Sequence, residues 1–236
     1  MTITSSRYLL RPMTVADIPR VSEIERGSFP TMWPQTAYKR ELQRNNLAAY
    51  LVVCEPIEPG DAEPLDRCSD SLPGAGAVSP EHTSARGLRR LLHRVAEVIT
   101  DAPPAATADA GERILGFVGL WFMVDEAHIV TIAVEERERR KGLGEMLLIA
   151  AIELAQRRSQ VVVTLECRVG NLVAQSLYEK YGFRKVGLRK RYYTDNDEDA
   201  LIMTTFPIQG DEFRDDFERL RTAYGARCGA PRVLPD

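Results

Sequence analysis

One uninterrupted succession constrains this chain's fold most: AHIVTIAVEE, Ala127 to Glu136, then RERRKGLGEML, Arg137 to Leu147, and later VVVTLECR, ending at Arg168. The first run is rich in β-branched residues and reads as a strand. Leu143, Leu147, Ala150, Ala151 and Leu154 then recur at helical spacing, so a helix begins near the two glycines. The last run is almost continuously apolar, as in a strand buried within a sheet. Arg137, Arg139, Arg140, Lys141, Gly142 and Gly144 lie between strand and helix. Cations and flexible backbone at a helix start suit an anion. The first N–H groups of a helix have no partner within it, and its dipole favours negative charge there.

The flanking elements complete the frame. YLLRPMTVADIPRVSEIERGSF reads as a strand, a turn at Pro12 and a helix capped by Thr14, with Ile18, Val21 and Ile24 at helical spacing. FPTMWP interrupts the pattern, a second helix is expected from about Gln35 to Asn45, and the strand AAYLVVCE follows. ILGFVGLWFMV and AHIVTIAVEE form a hairpin turning near Asp125. After VVVTLECR comes a short helix, NLVAQSLYEKYG, capped by Asn171, ended by Gly182 and striped by Val173, Leu177 and Tyr181. FRKVGLRKRYY and EDALIMTTF read as a closing hairpin around TDNDE. The order predicts an α+β fold on one mixed central sheet flanked by helices, not an all-parallel doubly wound one.

Residues 56–113 depart from this pattern. They are rich in Pro, Gly, Ala, Ser and Asp, too poor in apolar surface to pack well, and are expected to be largely flexible. Inside them ARGLRRLLHRVAEVIT reads as an amphipathic helix at about residues 86–100. It either lies on the domain with a solvated basic face or docks an acidic or RNA-containing partner. The segment reads as an insertion between early strands of one domain, residues 1–206, because neither side is complete alone. Residues 207–236 read as a loosely docked helical tail carrying Phe213, Phe217 and Leu220.

Composition removes several classes. With 236 residues, 44% hydrophobic and 28% charged, the balance is that of an ordinary globular protein. A net charge of -3 gives no overall basic field for nucleic acid. Cys54, Cys68, Cys167 and Cys228 contain no C-x-x-C pair, and His82, His93 and His128 share no ligand spacing with them. Neither a metal site nor a disulfide framework is expected. The longest apolar run, MLLIAAI, is far short of a membrane span, and MTITSSRYLLRPM has no apolar signal region. A cytoplasmic location without membrane partners is expected.

Three phosphate-binding designs compete for RERRKGLGEML, beside the bland alternative of a strand-to-helix turn with a solvated basic face. A P-loop needs G-x-x-x-x-G-K-[ST], which is absent. A dinucleotide fingerprint needs a third glycine where Leu147 stands. The third design lets glycines bring the backbone close to a ligand, with Arg139, Arg140 and Lys141 beside the helix donors. R-R-K-G-L-G resembles the R/Q-x-x-G-x-G/A motif of the GNAT superfamily, which binds the pyrophosphate of acetyl-coenzyme A. SFPTMWP, IAVEERERRKGLG, LECRVGNLVAQSLYEKYGF and RKRYYTDNDEDALIM together resemble the ribosomal-protein-alanine N-acetyltransferases, bacterial relatives of protein N-terminal acetyltransferases. The likeness spans Arg7 to Phe206 apart from the insertion. It departs from the family where Glu136 replaces the usual proline.

The resemblance implies a GNAT fold and acetyl transfer from acetyl-CoA, without metal, to the N-terminal amine of an alanine-starting ribosomal protein. By the same resemblance, Glu166 is the general base and Tyr178 the general acid. Coenzyme contacts fall on Ile132, Ala133, Val134, Arg139, Arg140, Lys141, Gly142, Leu143, Gly144, Glu145 and Asn171. Phe29, Pro30, Trp33, Tyr192 and Tyr193 line a peptide slot. The residues themselves leave alternatives open: Glu166 as an ion pair with a nearby arginine, Tyr178 as core packing, Asn171 as a helix cap only. Cys167 neighbours Glu166 but points to the opposite strand face, so a covalent cysteine mechanism is discounted. Two other functions remain: acetylation of a small-molecule amine, or a non-catalytic acetyl-CoA-binding adaptor.

Overall fold

The computed structural model describes residues 5–29, 34–56 and 111–233. Eight strands form one mixed sheet in the order β6-β7-β5-β4-β3-β2-β1-β8. In chain order these are β1 (Ser5–Pro12), β2 (Ala48–Pro56), β3 (Glu112–Met123), β4 (Glu126–Val134), β5 (Val162–Arg168), β6 (Phe183–Tyr193), β7 (Glu198–Thr205) and β8 (Ala230–Val233). The helices are α1 (Ile18–Ser28), α2 (Gln35–Arg44), α3 (Leu143–Arg157), α4 (Leu172–Lys180) and α5 (Asp211–Cys228). Only β1/β8 and β4/β5 run parallel. The expected insertion would leave and rejoin the chain between β2 and β3, adjacent antiparallel strands paired out to Pro56 and Glu112. The amphipathic segment expected near residues 86–100 lies outside the described residues, as do Pro30 and Trp33.

Alternation along the strands builds a core on each face of the sheet. Leu115, Val118, Leu120 and Phe122 of β3 join Val163, Leu165 and Cys167 of β5 beneath α3. Ile114 and Phe117 face the other way, onto Ile18, Val21 and Ile24 of α1 and onto Tyr38 of α2. Thr14 stands before the first helical turn, as expected, and its N–H donates to the Asp17 carboxylate at 2.7 Å. Asp17 also accepts two hydrogen bonds from the Arg11 guanidinium, at 2.7 and 3.0 Å.

Two elements differ from their sequence patterns. In α4, Gln175 and Tyr178 are buried, whereas Val173, expected on the apolar stripe, is 82% exposed. The Gln175 amide donates to the carbonyls of Arg168 and Val169, at 3.0 and 2.7 Å, which satisfies it inside. The tail is not loosely docked. Phe217 and Tyr224 of α5 and Ile208 before it belong to the α3-side core, and the aromatic rings of Phe217 and Tyr181 meet edge-on at 6.2 Å.

Candidate active site

The site follows from where two parallel strands stop pairing. β4 and β5 are in register from Glu126–Val162 to Ile129–Leu165. At that point β4 carries a bulge: Leu120 of β3 faces Ile129 and Gly119 faces Thr131, so Val130 is the extra residue. A bulge bends its strand and breaks the ladder. Beyond it, Thr131 to Val134 pair with β3 while Glu166 to Arg168 pair with β7. The gap opens at the carboxyl ends of both strands, and α3 and α4 begin just after them.

The strand period then sorts side chains onto the two faces of this opening. Cys167 lies on the α3 face, near Tyr178, whose ring is 5.7 Å from that of Phe183. Burial pushes the Tyr178 hydroxyl above its ordinary pKa, with the thiol of Cys167 and the phenol of Tyr193 adding to the rise. It therefore keeps its proton at neutral pH. Burial likewise pushes the Cys167 thiol up, to about 11, which leaves it a poor nucleophile.

Thr164, Glu166 and Arg168 take the opposite face. Glu166 is 8% exposed at its side chain and lies 3.0 Å from His128 Nε2 and 3.0 Å from the Arg189 guanidinium. His128 Nδ1 is 2.8 Å from the Thr164 hydroxyl, which in turn makes a short hydrogen bond to Glu126. Burial would push the His128 pKa down, but the nearby carboxylates of Glu126 and Glu166 outweigh it and raise the value to about 9. Burial would raise the Glu166 pKa, yet His128 and Arg189 hold it below the usual carboxylate range. Carboxylate and imidazolium are thus both charged at neutral pH. The arginine partner left open by the sequence is real, and a histidine shares the carboxylate with it. His128, Glu126 and Thr164 carried no motif, and Arg189, though inside the quoted RKRYYTDNDEDALIM segment, was assigned no role. The signal for Glu126, His128 and Thr164 was polar character at alternate positions of β4 and β5 whose other positions are apolar; Arg189 sits in a basic run of β6 and had no such signal.

The expected coenzyme residues gather at the start of α3. Gly142 is its N-cap at φ 86, and Leu143 buries its side chain in the core, leaving only its backbone N–H for a ligand. Glu145 lies in the first turn. The three cations diverge. Arg139 reaches back to the Val134 carbonyl at 3.4 Å, Lys141 pairs with Glu138 at 2.8 Å, and Arg140 stands exposed on left-handed backbone at φ 62. Ile132 and Val134 pack toward the α3-side core, and Ala133 faces α1. Asn171 caps α4, its side-chain oxygen accepting from the Ala174 N–H at 3.2 Å.

The expected acceptor residues divide. Tyr192 and Tyr193 meet edge-on at 5.2 Å at the end of β6. The Arg168 guanidinium stacks 3.8 Å over the Tyr193 ring and binds Asp195 and Glu198, at 2.8 and 3.0 Å, fastening the hairpin to the end of β5. Phe29 packs against the α1–α2 core. Among the described residues no helix is long and apolar enough to cross a membrane, and no group of three His, Cys, Asp or Glu is placed to hold a metal ion.

The chain is similar to known proteins in sequence and in fold. The model of the acetyltransferase (GNAT) family matches residues 77–183. A putative [ribosomal protein bS18]-alanine N-acetyltransferase of Bacillus subtilis is 30% identical over 198 residues, covering 84% of this chain and 95% of that protein. The [ribosomal protein bS18]-alanine N-acetyltransferase of Escherichia coli K12 is 41% identical over 93 residues, which cover 39% of this chain and 63% of that enzyme. Two crystal structures share the fold at 20% identity and a TM-score of 0.56. The ribosomal-protein-S18-alanine N-acetyltransferase of Escherichia coli covers 86% of this chain and 97% of its own. Ard1 of Thermoplasma volcanium covers 86% and 99%.

Proposed function

The chain belongs to the GNAT acetyltransferase family and is an acetyl-CoA-dependent N-acetyltransferase, and from that premise we propose that it acetylates the N-terminal α-amine of a protein, an alanine-starting ribosomal protein. One observation supports the mechanism: Tyr178 packs in the α3-side core with Cys167, while Glu166, the preceding residue of β5, points to the other face of the sheet. A base and an acid placed so can serve the two ends of a direct acyl transfer without meeting each other.

An α-amine titrates at about 7.7–8.0, so a useful share is neutral near pH 8 without help. The neutral nitrogen attacks the thioester carbonyl, and the new C–N bond makes that nitrogen strongly acidic. Glu166, held by His128 and Arg189, accepts the proton it sheds, even with a depressed pKa. As the C–S bond breaks, the Tyr178 hydroxyl gives its proton to the departing sulfur and is refilled from solvent. Backbone N–H groups of Ile132 and Val134, turned away from β3, are the donors available to the opening, while that of Ala133 is directed to β3. A single such donor aimed at a developing oxyanion is worth roughly two to three powers of ten in rate. The first-turn N–H groups of α3, with Arg140 just before them, suit the coenzyme's diphosphate, and Asn171 is assigned to the same coenzyme by the family likeness. Acetyl-CoA supplies the activated acyl group and nothing else.

The Tyr192–Tyr193 hairpin supports a peptide acceptor over a small amine, as does the activity named for the Bacillus subtilis relative. The test is a panel of an alanine-starting ribosomal peptide, spermidine and an aminoglycoside with labelled acetyl-CoA. The peptide should give the highest kcat/KM. A higher value for either small amine would replace this reading with the small-molecule one, and no turnover with any amine would leave an acetyl-CoA-binding adaptor.

A further inference from the structure

The tail helix delivers a cation to the coenzyme end of the molecule, outside the motifs that mark the family. Contacts step backward along α3 as α5 runs forward: Gln156 holds the Ile208 carbonyl, Arg221 meets Glu153, and Arg227 meets Glu145. The end of α5 is seated on the glycine turn itself. A Cβ at Gly142 would stand 3.1 Å from Cys228 Sγ and 3.4 Å from the Tyr224 ring.

Glu145 presents a problem that this placement solves. It lies in the first turn of α3, where a carboxylate beside an arriving diphosphate would repel it. The carboxylate accepts from the Tyr181 hydroxyl at 2.7 Å and pairs with Lys180 at 2.5 Å and Arg227 at 2.6 Å. One negative charge thus faces two positive ones, and the cluster carries a net positive charge. The turn's own Lys141 adds little, because Glu138 already engages it at 2.8 Å. We propose that Arg227 is a coenzyme-affinity residue: together with Lys180 it cancels Glu145 and leaves positive charge beside the α3 N-terminus that holds the phosphates of acetyl-CoA. The inference rests on the reading that those phosphates lie at the first turn of α3. Burial alone would raise the Glu145 pKa, but Lys180, Tyr181 and Arg227 lower it, so the carboxylate is charged throughout the working pH range.

The experiment is calorimetric titration of acetyl-CoA into the full-length wild type, Arg227→Gln, Glu145→Gln and the double variant, with thermal melts of each. Arg227 is half exposed, so Arg227→Gln should raise Kd on the order of fivefold at about 0.05 M salt and much less at about 0.5 M. Removing the carboxylate as well should bring Kd back to near the wild-type value. Unchanged affinity in Arg227→Gln overturns the proposal. A loss that Glu145→Gln does not repair, accompanied by a lowered Tm, also overturns it, since Arg227 would then only prop the helix. If the wild type itself fails to bind acetyl-CoA, the coenzyme site falls and this inference with it.

Discussion

Glu166 is held by two cations, His128 of the adjacent strand β4 and Arg189 of β6, which lies beyond β7, and this shapes what pH does to the protein. His128 has a folded pKa raised from 6.5 to about 9. Its contribution to stability is therefore fully present below about pH 6.5 and is lost as pH rises through about 9. Glu166 is depressed from 4.5, so its contribution is present above that value and is lost as pH falls through the folded one. Wild-type Tm should decline between pH 7 and 10 by more than that of His128→Gln; parallel curves would show that the imidazole carries no charge in the folded state. Tyr178 gives a second expectation. Tyr178→Phe keeps the ring against Phe183 and removes only the hydroxyl. Peptide turnover should fall roughly a hundredfold with acetyl-CoA affinity nearly unchanged. Wild-type turnover in that variant would reduce Tyr178 to packing.

Elements, rather than single residues, set the geometry of the opening. Without the Val130 bulge, β4 and β5 could continue their ladder and no gap would form. The glycine turn before α3 is constrained from two sides, by φ 86 at Gly142 and by Cys228 and Tyr224 against it. Gly142→Ala forces a Cβ into that left-handed conformation, at a cost of about 1–2 kcal/mol, and pushes on the end of α5. Lower stability and weaker acetyl-CoA binding should appear together. Full stability with unchanged affinity would mean the turn relaxes freely. Helix α4 shows where periodicity misleads. Its apolar residues suggested the stripe Val173–Leu177–Tyr181, but Val173 is exposed at the helix start beside the gap, and buried Gln175 hydrogen-bonds the end of β5. A helix of nine residues has too few turns for its composition to outweigh such neighbours.

At the scale of the whole molecule, α5 is part of the α3-side core. Phe217 is 6% exposed, meets Tyr181 and stacks on Phe213 at 6.1 Å. Phe217→Ala should cost about 3 kcal/mol and lower Tm clearly. It should also weaken acetyl-CoA binding, because the same helix carries Arg227 to Glu145. A variant melting like the wild type would make the tail a separable appendage.

Apart from β8, which pairs with β1 where only a helical tail was expected, element types, their order, the Thr14 and Asn171 caps and the cationic glycine turn were legible in the amino-acid sequence, because each depends on residues within a few positions of one another. Glu166 and Tyr178 were legible as candidates through the family likeness. That Glu166 faces away from the α3-side core holding Tyr178 follows from strand alternation in β5 and from the docking of α4, and only once the sheet is assembled. What joins Glu166 to His128 and Arg189, or Glu145 to Arg227, is strand register and helix docking. Those are decided by which faces of the sheet bury against α1, α3 and α5, and by one extra residue in β4. Local periodicity contains neither quantity, and so the ion-pair network and the seat of the tail helix belong to the tertiary structure alone.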